Sequence, residues 1–230
     1  MKTSGLFEGR QWSSQLEAKV VTPGYPNHVF GYSTQGGMAR TVTLGAFVYL
    51  TIKGNLPTAD ELALFETALL FLAPITAADG PAHAGILSRL CGASSDAVVA
   101  TVAVGLTQEA SYALAAHDGF LGWLDGDQSA APSEEYLALS GQAPLVRTDL
   151  EAALQARGVA LSLSPHPLKE IPAILWLLHA AGIRDRASLE RSWLLARLPA
   201  GAAEAMATTP KEFLQYPANL PALEYDDGEE

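Results

Sequence analysis

The stretch from Gly54 to Leu106 constrains the fold most, because it carries start signals for three successive helices. Thr58 and Glu61 have the types and spacing of a capping box, in which each residue's side chain accepts a hydrogen bond from the other's backbone N–H. Asp79 has the residue type of an N-cap, and Pro81 fits the first turn of a second helix. The stretch therefore predicts consecutive helices joined by short connections.

The third helix of this stretch opens at Ser94–Asp96 and is apolar almost all round from Ala97 to Leu106, which predicts burial on most sides.

Residues 1–45 are rich in glycine and proline and are expected to form loops and a short β-hairpin. Pro199 is expected to stop a helix. The remaining apolar periodicity predicts helices over 44–53, 109–124, 133–140, 148–157, 170–181, 184–197 and 200–207. The predicted fold class is all-α.

The charge balance limits the kinds of partner. The chain has 230 residues, of which 49% are hydrophobic, so it can bury a full core as one large domain or as a large and a small one. Its 14 basic and 25 acidic residues give a net charge of −11. That charge argues against a nucleic acid or an anionic membrane as the main partner. The acidic residues at 224–230 are expected to form a solvated tail.

The single cysteine, Cys91, excludes an intrachain disulfide and a multi-cysteine metal site. A buried apolar role is the expectation for its side chain. The N-terminal residues lack the apolar segment of a signal peptide, and polar residues interrupt each apolar run before the ~18 residues of a membrane span. A cytoplasmic location is therefore expected.

The order of these motifs resembles that of the citrate synthase superfamily, especially its short members, the citryl-CoA lyases, and the matching domain of ATP-citrate lyase. The resemblance runs at low identity from about Trp12 to Tyr225, with a shortened middle region. The segments that carry it are Gly54–Pro57, Ala78–Pro81, Val104–Leu106, Ile171–Ile183 and Ala196–Ala200.

The resemblance implies a compact citrate synthase-like helical fold with a large and a small lobe, assembled as a homodimer. Residues 1–124 would supply N-terminal loops and the core helices of the large lobe, including those at the dimer interface. Residues 125–168 would form a shortened small lobe. Residues 169–230 would return to the large lobe and end in the acidic tail.

The resemblance also implies chemistry at a coenzyme A thioester, with a small carboxylic acid as the second substrate and no metal. In this family an aspartate removes a proton from the acyl carbon, a histidine hydrogen-bonds the enolate oxygen and a second histidine polarises the keto-acid carbonyl. Arginines bind the carboxylates. These roles require a base near the α-carbon, a donor at the developing oxyanion and a bidentate cation.

Two histidines match these roles by their surroundings. His117, in the segment ALAAHDGF, corresponds to the enolate-binding histidine, although about three extra residues precede it. A histidine at the edge of an alanine-rich helix is the alternative. His166, in SPHPLK, resembles the segment that polarises the acid carbonyl, and its flanking prolines would stiffen the loop. An accidental similarity is the alternative there.

The base and the acid-binding residues are matched less directly. The family spacing places the base at Ile171, so the neighbouring Glu170 is the candidate; its alternative role is to complement the helix macrodipole. Arg197 corresponds to a carboxylate-binding arginine, or else is a helix C-terminal cation. His83 is a substrate-binding candidate, or else a surface histidine. Asp79 is interpreted as an N-cap.

Two classes of function remain open from the sequence. In one, the chain is a citrate synthase-like or citryl-CoA lyase-like enzyme that makes or breaks a C–C bond between an acyl-CoA enolate and a keto acid. In the other, it is a catalytically impaired homologue that binds a ligand or a partner protein. His117, His166 and Arg197 favour the enzyme; the missing aspartate and the shortened middle favour the impaired homologue.

Overall fold

A computed structural model describes residues 18–126, 128, 130–138, 143–159 and 166–209, with backbone only at 143–146. Its helices are α1 Ala39–Thr41, α2 Leu44–Lys53, α3 Ala59–Leu72, α4 Gly80–Leu90, α5 Ser95–Ala115, α6 Asp118–Asp125, α7 Ala143–Ala156, α8 Glu170–Ala180 and α9 Arg186–Ala207. The strands β1 Val21–Thr22, β2 His28–Val29 and β3 Tyr32–Ser33 form a small antiparallel sheet in that order. The all-α prediction is confirmed. The acidic tail and residues 1–17 lie outside the described residues.

The chain divides after Leu62 into two compact units. In the first unit, β2 and β3 pair with Val29 opposite Tyr32, so Phe30 and Gly31 form a two-residue hairpin turn. Both turn residues have positive φ, 47° and 82°, as a type I′ turn requires. The predicted short hairpin is therefore present.

The capping box at the start of α3 is confirmed in both directions. The Thr58 backbone N–H donates to Glu61 Oε2 over 2.8 Å, and the Glu61 backbone N–H donates to Thr58 Oγ1 over 3.2 Å. The Thr58 hydroxyl adds a third hydrogen bond to the same carboxylate at 2.9 Å. The local pattern alone was enough to predict where this helix begins.

In the second unit, α4, α5 and α9 pack against one another. Helix α5 buries one stripe at four-residue intervals, which comprises Val98, Val102, Leu106, Ala110 and Leu114. The prediction that this helix is buried on most sides from Ala97 to Leu106 was wrong, since Val104 is 66% exposed and Ala97 and Ala100 are exposed as well. Its neighbours cover one face, and the opposite face is open within the described chain.

Glycines allow the close approach of these three helices. A Cβ on Gly85 of α4 would lie 2.4 Å from Val102 Cγ2 and 2.9 Å from Ala205 Cβ. A Cβ on Gly105 of α5 would lie 3.0 Å from Pro81 Cα. Because ordinary carbon contacts are about 3.5–4.0 Å, side chains at these points would force the helices apart.

Helix α9 does not stop at Pro199, contrary to the sequence prediction, and continues to Ala207. Ala205, in the continuing part, is fully buried in one core with Val102. A proline removes one intrahelical hydrogen bond, but the packing of the following turns keeps the helix continuous.

Two further expectations need correction. Cys91 follows α4 and is exposed rather than buried. Asp79 occupies the N-cap position of α4 with an extended backbone, but its side chain makes no capping hydrogen bond.

Among the described helices, α5 alone is long and apolar enough to cross a membrane. Core helices of soluble proteins also meet that criterion, and α5 packs on α4 and α9.

Candidate functional site

Arg197 lies at the centre of a polar cluster that joins three parts of the second unit. Its Nη1 donates to the Leu72 carbonyl oxygen at 3.2 Å, at the end of α3. Its Nε lies 3.1 Å from Oε1 of Glu109 on α5, and its Nη2 lies 3.9 Å from Oδ2 of Asp79. The Trp193 indole N–H donates to the same Glu109 oxygen at 2.9 Å. These residues are called the arginine cluster below.

The Arg197 guanidinium is mostly shielded from water, and the arginine cluster carries more negative than positive charge; Asp79, with 40% of its side chain exposed, is its most open member. The Arg197 side chain is 12% exposed and the Glu109 side chain 26% exposed. Hydrogen bonds from the Thr76 backbone N–H, at 2.6 Å, and hydroxyl, at 3.0 Å, hold the Asp79 carboxylate. They lower the pKa of Asp79, with a smaller contribution from Arg197. Two carboxylates therefore surround one guanidinium.

The Nε–H of Arg197 is buried without a hydrogen-bond acceptor in the described structure, although Glu109 Oε1 is 3.1 Å away. An oxygen at this distance accepts a hydrogen bond only when it lies along the N–H direction, so Glu109 Oε1 lies off that direction, and the Arg197–Glu109 contact is an attraction between charges rather than a good hydrogen bond. Arg197 is also not at a helix end, because α9 continues to Ala207.

His117 belongs to a second cluster, made of rings. Its ring centroid lies 5.9 Å from that of Tyr136, which lies 5.4 Å from Phe120. Phe120 stacks on Trp123 at 5.4 Å, and Trp123 meets His166 edge-on at 6.2 Å. These five residues are called the ring cluster below. It brings both candidate histidines into one assembly, with three aromatic rings between them.

Hydrogen bonding fixes the chemistry of His117. Its Nδ1 lies 2.7 Å from the Ala113 carbonyl oxygen, one turn earlier on α5. A carbonyl can only accept, so Nδ1 carries the proton. In the neutral ring Nε2 is then an acceptor, and it becomes a donor only when His117 is the imidazolium.

The neighbouring Tyr136 is buried, and burial is the main reason that the pKa of its phenol is raised, with Glu135 adding to the effect. Its hydroxyl packs against the first turn of α6, where a Cβ added to Gly119 would lie 2.8 Å from the hydroxyl oxygen. Tyr136 is therefore a neutral, fixed ring against which His117 is held.

A short pairing of two loops positions His166 and Glu170. Leu137 and Leu168 form an antiparallel bridge, with the Lys169 backbone N–H donating to the Tyr136 carbonyl at 2.9 Å. Glu170 follows as the first residue of α8 and is exposed. Its carboxylate has no hydrogen bond or ion pair with another described residue. The candidate base therefore follows the bridge by two residues, and its side chain is open to solvent.

Comparison with known proteins supports the fold. No protein-family model matches the chain, and no curated protein matches it. Among solved structures, the citryl-CoA lyase from Hydrogenobacter thermophilus matches with a TM-score of 0.64 over 93% of this chain and 96% of the lyase, at 13% identity. The fold is citrate synthase-like. At that identity the likeness establishes the fold and leaves the activity to be argued from the residues.

Within this citrate synthase-like fold, three of the five predicted site residues lie in the two clusters, and Glu170 and His83 lie in neither. His117 and His166 share the ring cluster, whereas Arg197 lies in the arginine cluster. Helix α5 connects the two, because Glu109 precedes His117 by eight positions, a rise of about 12 Å. His83, half-buried on α4, is one turn from Asp79, whose carbonyl accepts its backbone N–H at 2.9 Å.

Several residues of these clusters were missed from the sequence. Glu109 is an acid in the middle of an otherwise apolar and small-residue helix, and that contrast is a signal that could have identified it. Trp193 and Trp123 gave no such signal, because a tryptophan in a helix usually indicates core packing.

Arg186 lies outside both clusters and was also missed. It donates to Asp118 at 2.7 Å and to the Ser111 carbonyl at 3.0 Å, and so holds the α5–α6 corner beside His117.

Proposed function

We propose that this chain is a citrate synthase-like enzyme that makes or breaks a C–C bond between an acyl-CoA enolate and a keto acid, in the manner of a citryl-CoA lyase. One observation carries the proposal: the chain has the fold of a citryl-CoA lyase, and within that fold a continuous run of ring contacts through Tyr136, Phe120 and Trp123 links His117 to His166. The coenzyme A thioester is the substrate, and the proposal assigns no metal. A cytoplasmic location remains part of it.

In this proposal the residues divide the work of two proton transfers and one C–C bond change. Glu170 removes the proton from the acyl α-carbon, and its exposure leaves the side chain accessible to a substrate. His117, as the imidazolium, donates from Nε2 to the enolate oxygen, because Nδ1 is already engaged by Ala113. His166 polarises the keto-acid carbonyl that the enolate carbon attacks, and gives a proton to the alkoxide oxygen that forms with the new C–C bond. Cleavage is the same sequence in reverse.

The second substrate is a small carboxylic acid bound at Arg197, with His83 contributing from α4. A guanidinium binds a carboxylate through two parallel hydrogen bonds, and a buried guanidinium does so more strongly than an exposed one. Arg197 is well shielded from water, which supports the assignment.

Citryl-CoA cleavage, followed by mass spectrometry of acetyl-CoA and oxaloacetate, tests the proposal. The wild type should form both products in equal amounts, and His166→Ala should reduce the rate by 10²-fold or more, as loss of a general acid–base group does, at about 10²–10⁴. His28→Ala is the matched control, because His28 lies on β2 outside both clusters. Equal rates for the wild type and His166→Ala would contradict the proposal.

One observation favours the second candidate function, an impaired homologue that binds a ligand or partner without turnover. The only guanidinium among the candidate residues is already paired with two carboxylates of its own chain. If citryl-CoA binds but no product forms in any variant, this candidate replaces the enzyme.

We also propose that the chain is a homodimer that uses the open face of α5. Val104 and Tyr112 are exposed on this face beside the small residues Ala97 and Ala100. Small residues permit two helices to approach closely across a two-fold axis. Val104→Glu should convert the dimer to a monomer in light scattering, and a wild-type monomer at micromolar concentration would refute the proposal.

A further inference from the structure

The Arg197 guanidinium is engaged by the protein itself before any ligand arrives. The Leu72 carbonyl, Glu109 and Asp79 each lie within 4 Å of one of its nitrogens. An incoming carboxylate must therefore share or replace one of these groups. With Asp79 and Glu109 ionised, the charges within the arginine cluster sum to −1, which opposes a di- or tricarboxylate.

Of the two carboxylates, Glu109 is the one that a ligand can replace. Asp79 receives two hydrogen bonds from Thr76 and lies farther from the guanidinium, at 3.9 Å. Glu109 is nearer, at 3.1 Å, and its only other described partner is the neutral indole N–H of Trp193. Exposure does not separate the two, since 26% of the Glu109 side chain and 40% of the Asp79 side chain are exposed, so the assignment rests on their hydrogen bonds.

The contact between Glu109 and Arg197 is incomplete, and this leaves capacity for a ligand. Nε–H of Arg197 has no aligned acceptor in the described structure and is buried. A buried donor without an acceptor is costly, and a carboxylate placed along the N–H direction would remove that cost. Glu109 supplies the charge of a bound carboxylate without supplying its best hydrogen bond.

We propose that Glu109 is a built-in carboxylate that competes with an incoming carboxylate ligand for Arg197 and thereby sets the affinity for di- and tricarboxylates. The inference rests on the proposed function, in which Arg197 binds the acid. Glu109 is thus a specificity-determining residue: it disfavours free polycarboxylates, and a ligand must contribute binding elsewhere to displace it.

The test is Glu109→Gln, which removes the charge while keeping an oxygen to accept from Trp193. Binding of citrate and tricarballylate is measured by titration calorimetry at constant ionic strength. We expect at least tenfold tighter binding in Glu109→Gln, equivalent to about 1.4 kcal/mol. Glu204→Gln, the same charge change on an exposed residue of α9, is the matched control and should leave affinity unchanged. If Glu109→Gln does not fold, Glu109→Asp withdraws the carboxylate from Nε and should act in the same direction.

A second readout separates failure of this inference from failure of the proposed function. Phenylglyoxal modifies accessible arginines, and peptide mass spectrometry gives its rate at Arg197. If the wild type binds citrate and Glu109→Gln binds it no more tightly, the inference is wrong and the proposed function stands. If neither binds, the proposed function loses its acid site, and the labelling decides: faster modification of Arg197 in Glu109→Gln supports the competition, and an equal rate overturns it.

Discussion

Substitution of Gly85 by alanine should destabilise the second unit, although alanine is the better helix former. The new Cβ would lie 2.4 Å from Val102 Cγ2 and 2.9 Å from Ala205 Cβ. Overpacking of a core costs about 1–3 kcal/mol, and the gain in helix propensity offsets about 1 kcal/mol of this. Val102 cannot turn aside easily, because a β-branched side chain has one strongly preferred rotamer in a helix.

A contact of 2.4 Å places the overpacking cost at the upper end of that range, ~3 kcal/mol, so the net loss should be about 2 kcal/mol, or ~4–8 °C in Tm for a chain of this length. Urea denaturation followed by circular dichroism measures it. Gly122→Ala, on α6, is the matched control, since nothing lies within 4 Å of its added Cβ; it should stabilise by about 0.4–1 kcal/mol. In the Val102→Ala background the cost of Gly85→Ala should fall. Equal stabilisation by the alanines at 85 and 122 would refute the packing of α4 on α5.

Three further outcomes are expected. Thr58→Ala should lower the free energy of unfolding by about 1 kcal/mol in urea titrations, because it removes the side-chain half of the capping box. Asp185→Asn should flatten the acid limb of the stability–pH curve: the Ser188 hydroxyl lowers the pKa of Asp185, so its stabilisation is present above about pH 4 and is lost as pH falls. Trp193→Phe should destabilise by about 1.5–3 kcal/mol in thermal unfolding, since Glu109 loses its indole donor.

Local sequence signals predicted well where helices begin, and poorly which helix faces are buried and where a helix ends. The capping box of Thr58 and Glu61 depends on residues three positions apart, so the sequence contains all of its partners. The exposure of Val104 depends on where α4 and α9 lie, which no residue near Val104 encodes. Pro199 shows the same limit, because packing of Ala205 against Val102 holds the helix through a residue that usually ends one.

The candidate site follows the same division. His117 and His166 could be selected by their local motifs, and the structure places both in the ring cluster. The pairing of Arg197 with Glu109 joins residues far apart in the chain, and its neighbours in sequence give no sign of it. Likewise, the hydrogen bond that commits Nδ1 of His117 depends on the end of α5, where the ring folds back on Ala113.

Exchange of deuterium into the acyl α-carbon of a CoA thioester tests the proposed enzyme most directly, because it needs only the base and the enolate donor. Acetyl-CoA is incubated in D₂O with the protein and a dead-end dicarboxylate, and label is measured by mass spectrometry. The wild type should exchange label at least 10²-fold faster than His117→Ala, the size of effect expected for loss of a positioned donor, and His28→Ala should match the wild type. Exchange no faster in the wild type than in His117→Ala would contradict the enzyme assignment.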